Sequence, residues 1–112
     1  MVIPLYKSSK EYWKEIEERF YKAIGVPMMK IDERSLIVNL IRPILDEYAI
    51  CGGWRMLYCS FAFSLYYRLR KAEIEEYEKI VEERIKYFTN KQHLDPQILE
   101  EIAKSIIGYV SI

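Results

Sequence analysis

One histidine, His93, is all the imidazole this 112-residue chain contains. That scarcity removes most metal and proton-transfer chemistry. A ferritin-like di-iron site in a helical bundle needs two Glu-x-x-His pairs on facing helices. Here Asn90, not Glu, stands three residues before His93. No metal and no other cofactor is expected, and His93 reads as a solvent-facing loop residue. Glycine is also scarce. Gly25, Gly52, Gly53 and Gly108 are the full set, and no phosphate-binding loop or dinucleotide fingerprint runs through them. Cys51 and Cys59 have neither the spacing of a metal site nor the number of a disulfide framework. Buried thiols are the default reading for both, with a bridge between them as the alternative. The longest uncharged run is the twelve residues between Arg55 and Arg68, whereas a helix needs about 20 to cross a bilayer. No membrane span is expected. The opening MVIPLYKSSKEYW has no apolar signal-peptide core, so the reading is a cytoplasmic protein.

Charge excess of either sign is absent too, with 17 basic and 17 acidic residues. A balanced chain exerts no global pull on nucleic acid or anionic lipid. The side-chain amides and threonine are limited to Asn39, Asn90, Gln92, Gln97 and Thr89. Ile, Glu, Lys and Tyr are abundant instead. Few thermolabile amides and many ion-pairing side chains form a hyperthermophile-like composition, which points to an archaeal or viral source.

Hydrophobic residues make up 51% of the chain, enough to bury a core, and the length fits a single helical domain over residues 1–112. The fold is organised around Trp54 to Tyr67, WRMLYCSFAFSLYY. Its apolar residues fall on every side of a helical projection, the pattern of a helix buried all round. The expectation is an all-α, small four-helix bundle with one long central helix over 54–89, and with Phe61 and Leu65 among its most buried residues.

An apolar N-terminal arm occupies 1–7. Ser8 and Glu11 form a capping box that opens a helix over 8–24, which Gly25 and Pro27 end. Asp32 caps a second helix over 33–51. Pro43 removes the bond to the carbonyl of Asn39, so this helix should kink there or divide into 33–42 and 43–50. Nothing in the sequence stops the third helix before Thr89. Beyond Arg68 it becomes a charged helix with an apolar stripe, and the alternative to a straight rod is a bend near Arg70 that folds the second half back onto the first helix and makes a compact monomer. Asp95 and Pro96 are an N-cap and N1 pair for a last helix over 96–108, with Gly108 ending it and 109–112 as an apolar tail.

No motif carries chemistry. The carboxylate pairs Glu75-Glu76, Glu82-Glu83 and Glu100-Glu101 alternate with Lys and Arg on polar faces, so they read as solvated surface and not as acid–base machinery. The chain is not expected to be an enzyme. Ten tyrosines and two tryptophans favour a protein–protein interaction or structural assembly module, because these residues bring contact area at low entropic cost. If the 54–89 helix is continuous, its second half overhangs the bundle, and Ile74, Tyr77, Ile80, Val81, Ile85 and Phe88 form a homodimer interface. The alternative is association with single-stranded nucleic acid or RNA through Arg55, Tyr66, Tyr67, Arg68, Arg70 and Lys71. Geometry weakens it, since residues 68 and 70 point about 200° apart on a helix.

Overall fold

The computed structural model describes residues 31–111 and, ahead of them, Glu15, Ile16, Glu18, Arg19 and Lys22, which are helical. The expected arm over 1–7, most of the expected helix over 8–24, and Ile112 lie outside the described residues. The rest is all-α, with no strand among the described residues. Helix α1 runs Ile31–Glu47, α2 Gly53–Arg70, α3 Tyr77–Gln92 and α4 Pro96–Val110, with a 3₁₀ turn Ile74–Glu76 ahead of α3.

Helix α2 is the centre, as its uncharged run requires. Every residue from Ser60 to Leu65 is buried, which on a 3.6-residue turn means cover on all faces. Phe61 and Leu65 are fully buried. Ser60 Oγ donates to the Met56 carbonyl at 2.8 Å, while Ser64 Oγ is buried with no hydrogen-bond partner among the described residues.

The third helix differs most from expectation. The chain does not continue as one helix over 54–89. It stops at Arg70, turns through Lys71 to Glu73, and runs back as α3. The Lys71 and Ala72 N–H groups close the end of α2 on the carbonyls of Arg68 and Leu69 at 3.3 and 3.1 Å. Glu73 is extended, with φ −80° and ψ 153°, and reverses the direction. No Gly or Pro marks this place, so the cause is tertiary. A straight rod would hold the stripe of α3 in water, whereas the reversal seats Phe88 at 1% exposure. Its ring meets Phe61 edge-on, with centroids 5.4 Å apart and planes at 81°. Burying a side chain of this size contributes about 1.5–3 kcal/mol, ample to select the bend.

Five contacts fix the directions of the helices. Arg55 reaches Asp46 at one end of α1 and Arg70 reaches Glu33 at the other, so α1 and α2 are antiparallel. The Phe61–Phe88 pair makes α2 and α3 antiparallel. Tyr58 lies beside Asp95 and Tyr66 beside Tyr109, so α4 runs parallel to α2. Helices α2 and α4 form the closest pair, and each also packs on α1 and α3. The result is an up-down-up-down bundle.

Two smaller corrections concern helix ends. Helix α1 neither divides at Pro43 nor extends to residue 51; it passes through Pro43 and ends at Glu47. Pro43 and Asn39 are both exposed, so the carbonyl freed by proline faces water and its loss is tolerable. The end is set by Ala49, in the left-handed region at φ 53°, with the Ile50 N–H closing on the Leu45 carbonyl at 2.9 Å. Helix α4 begins as expected, the Asp95 carboxylate accepting from the Gln97 N–H at 2.9 Å. It runs through Gly108 to Val110, so residues 109 and 110 belong to the helix. The neighbouring contact of Tyr109 with Tyr66 at 6.0 Å supports that last turn.

Candidate functional site

Two places hold side chains that the core does not consume: the flank of α3, and the end of the bundle where two connections meet. On α3 the apolar stripe begins in the 3₁₀ turn at Ile74, which is 69% exposed. Tyr77, Ile80, Val81 and Ile85 follow, each touching the core from one side and each only half-buried. Phe88 is the exception. The sequence placed it on an interface, yet it is the one residue of α3 that is fully inside, because the reversal at residues 71–73 carries it onto Phe61. Its place in the interface set is corrected accordingly.

Of the residues expected to meet nucleic acid, Tyr66, Tyr67, Arg68, Arg70 and Lys71 lie together at the end of α2, and Arg55 lies apart. Arg55 lies near the start of α2 and Arg68, Arg70 and Lys71 at its end, about 20 Å along the axis. Arg55 is also occupied. One guanidinium nitrogen donates to the Ile50 carbonyl at 2.9 Å and the other to Asp46 at 3.0 Å, so it straps the α1–α2 connection to the helices on either side. Arg70 pairs with Glu33 at 3.3 Å, its guanidinium 6.0 Å from the Tyr66 ring. Lys71 donates to the Tyr67 hydroxyl at 2.7 Å and sits 4.3 Å from that ring's centroid. Arg68 is exposed. On α3, burial and then the Arg68 charge hold Arg84 below the usual arginine range. Arg84 rests 4.9 Å from the Tyr87 ring.

No family model, no curated protein and no solved structure matches this chain. Function therefore rests on the chemistry of its own side chains.

The second place is an open cleft of about 640 Å³. Trp54 and Tyr58, one turn apart on α2, form one wall, with Ile50 from the α1–α2 connection beside them. His93, Leu94, Asp95 and Pro96, from the connection between α3 and α4, form the other. The two walls are tied together where the Tyr58 hydroxyl accepts from the Asp95 N–H at 2.9 Å. His93 is exposed, as its sequence position suggests, and takes the left-handed conformation at φ 58°. There it ends α3, with the Leu94 N–H closing on the Phe88 carbonyl at 3.3 Å. This cleft is not legible in the sequence. Trp54 and Tyr58 at i, i+4 give one wall, but the second wall depends on α4 running parallel to α2, which no local pattern encodes.

The cysteines are unbridged, but the expectation that both are buried fails for one. Cys51 is exposed, in the connection, while Cys59 is half-buried. Burial pushes the Cys59 thiol above its usual range, with Arg55 opposing. The Tyr48 hydroxyl is likewise held above its usual range, first by the neighbouring Glu101 carboxylate and then by burial. Among the described residues no group of three or more His, Cys, Asp or Glu side chains is arranged to hold a metal ion. No helix among them is long and apolar enough to cross a membrane.

Proposed function

We propose that this chain is a small, non-catalytic helical interaction module that assembles as a homodimer through the outer flank of α3. One observation carries the reading: Ile74 is 69% exposed, and Tyr77, Ile80, Val81 and Ile85 beside it on α3 are only partly buried. The reversal of the chain removes the overhanging rod on which the sequence expectation rested, yet it leaves this stripe half open. Contiguous apolar surface is what soluble monomers keep small. A two-fold axis beside α3 would cover it with the same residues from a second copy. Nucleic-acid association is the weaker reading, because Arg55 stands about 20 Å along α2 from Arg68, Arg70 and Lys71, and Arg55, Arg70 and Lys71 each have a partner within the chain.

Light scattering coupled to size exclusion, at tens of micromolar, tests the proposal. The expected mass is twice the 13.5 kDa of one chain. Ile74→Glu should return a single-chain mass without disturbing the fold, because Ile74 is 69% exposed. Tyr77→Glu should act the same way, and Glu78→Lys, at an exposed position, should leave the dimer intact. A single-chain mass for the unaltered protein would defeat the reading.

A further inference from the structure

The cleft at the far end of the bundle takes no part in the α3 flank, and its chemistry is distinctive. Trp54 is 53% exposed, although tryptophan ordinarily buries most of its surface. Tyr58 is 4% exposed, and its ring is held by the bond its hydroxyl accepts from the Asp95 N–H. His93 adds a third ring at the margin. Among the side chains lining the cleft Asp95 is the one carboxylate, and it is exposed. No Lys or Arg is among the lining residues.

Aromatic faces attract a cation through their quadrupole, most strongly at tryptophan. A carboxylate beside them fixes the sign of the guest. Ile50, Leu94 and Pro96 complete the lining with apolar surface, which suits a cation wearing methyl groups and offers nothing to a tightly hydrated metal ion. At about 640 Å³ the cleft has the size of small-ligand sites, which span roughly 300–1,000 Å³. We propose that it binds an organic ammonium ion, with Trp54 as the cation-stacking face and Asp95 as the counter-charge. Two sources share this chemistry: a free quaternary ammonium compound and a methylated lysine side chain of another protein. The proposal does not depend on the dimer.

The test uses choline as the probe. The chain has two tryptophans, Trp13 and Trp54, so a Trp13→Phe variant reports fluorescence from Trp54 alone. Choline should quench that emission saturably in the millimolar range. Its neutral isostere, with carbon in place of the ammonium nitrogen, should bind about fivefold to tenfold more weakly. Asp95→Asn should weaken choline by a similar factor while keeping the helix cap, since Asn is as good an N-cap as Asp; circular dichroism would verify that α4 is retained. Saturation-transfer NMR on the choline methyl signal gives the same comparison with the unaltered chain, should the Trp13 variant fold poorly. A peptide bearing trimethyllysine that binds more tightly than choline would assign the cation to a protein side chain. Choline binding as tightly or better would assign it to a free ligand. Equal binding of the neutral isostere, unchanged affinity in Asp95→Asn, or no saturable response would each overturn the proposal.

Discussion

Replacing Phe88 by alanine should be among the most damaging single changes in the protein, although the residue lies on a highly charged helix. Phe88 is 1% exposed and meets Phe61 at 5.4 Å. Truncating a buried phenylalanine costs about 3–5 kcal/mol through lost transfer energy and the cavity left behind. The edge-on ring pair adds about 0.5–1.5 kcal/mol that belongs to neither residue alone. Against a domain stability of roughly 5–15 kcal/mol, Phe88→Ala should remove a third or more of the total. Guanidinium unfolding followed by far-UV circular dichroism measures it, provided the slope of the transition is unchanged. Because a dimer would make the midpoint depend on protein concentration, the series should be repeated at several concentrations. The Phe61→Ala, Phe88→Ala double variant completes a cycle whose coupling should be about 1 kcal/mol. A loss below about 1 kcal/mol for Phe88→Ala, typical of a surface site, would refute the reasoning, for it would mean α3 does not fold back on α2.

Ile74→Pro should be tolerated to within about 1 kcal/mol by thermal melting, since Ile74 opens the 3₁₀ turn and Glu73 before it is already extended, the conformation a following proline demands. In a continuous helix the same change would cost about 3 kcal/mol or more. His93→Gly should raise the unfolding midpoint by up to about 1 kcal/mol of stability, because glycine reaches φ 58° without the clash that a Cβ brings. Thiol titration at mildly alkaline pH should show one fast cysteine and one slow one. Cys51→Ser should abolish the fast phase, because Cys51 is exposed and burial holds Cys59 as the neutral thiol. The sign of the linked effect follows: with its folded-state pKa raised, Cys59 contributes stability that is complete below its unfolded pKa and is lost as pH rises through the folded value. A native-state Cys59 that reacts as fast as Cys51 would contradict this.

How much of this was readable from the chain depends on whether a feature is local. The twelve uncharged residues after Arg55 announce a helix buried on all faces, and Phe61 and Leu65 sit where that run puts them. Asp95 and Pro96 announce the start of α4, because an N-cap is made by neighbours in sequence. The reversal after Arg70 was open to sequence only as an alternative. Lys71, Ala72 and Glu73 have no turn chemistry, and what selects the bend is Phe61, ten residues before Lys71, and Phe88, seventeen after it. Ala49 and His93 hid the ends of α1 and α3 for a related reason: each takes the left-handed position that glycine usually fills. Gly108 misled in the opposite direction, lying inside α4 where glycine costs only about 1 kcal/mol. Arg55 read as a free cation, but its partners, Asp46 and the Ile50 carbonyl, come from the preceding helix and connection. The cleft needed two such non-local facts at once.

The half-covered flank of α3 and the walls of the cleft both exist only because the chain reverses between Arg70 and Tyr77, so the distance across that reversal is the most direct test. Spin labels can be placed at Met56 and Lys91, both exposed, after Cys51 and Cys59 are replaced by serine. Dilution with unlabelled protein suppresses distances between two copies of the chain. A continuous helix would hold the two sites about 52 Å apart, at 1.5 Å per residue. With Tyr58 hydrogen-bonded to the Asp95 N–H at 2.9 Å, pulsed electron–electron resonance should instead give a distribution centred below about 30 Å, allowing for label length and a few residues at about 1.5 Å each. A peak near 50 Å would contradict the reversal and everything built on it.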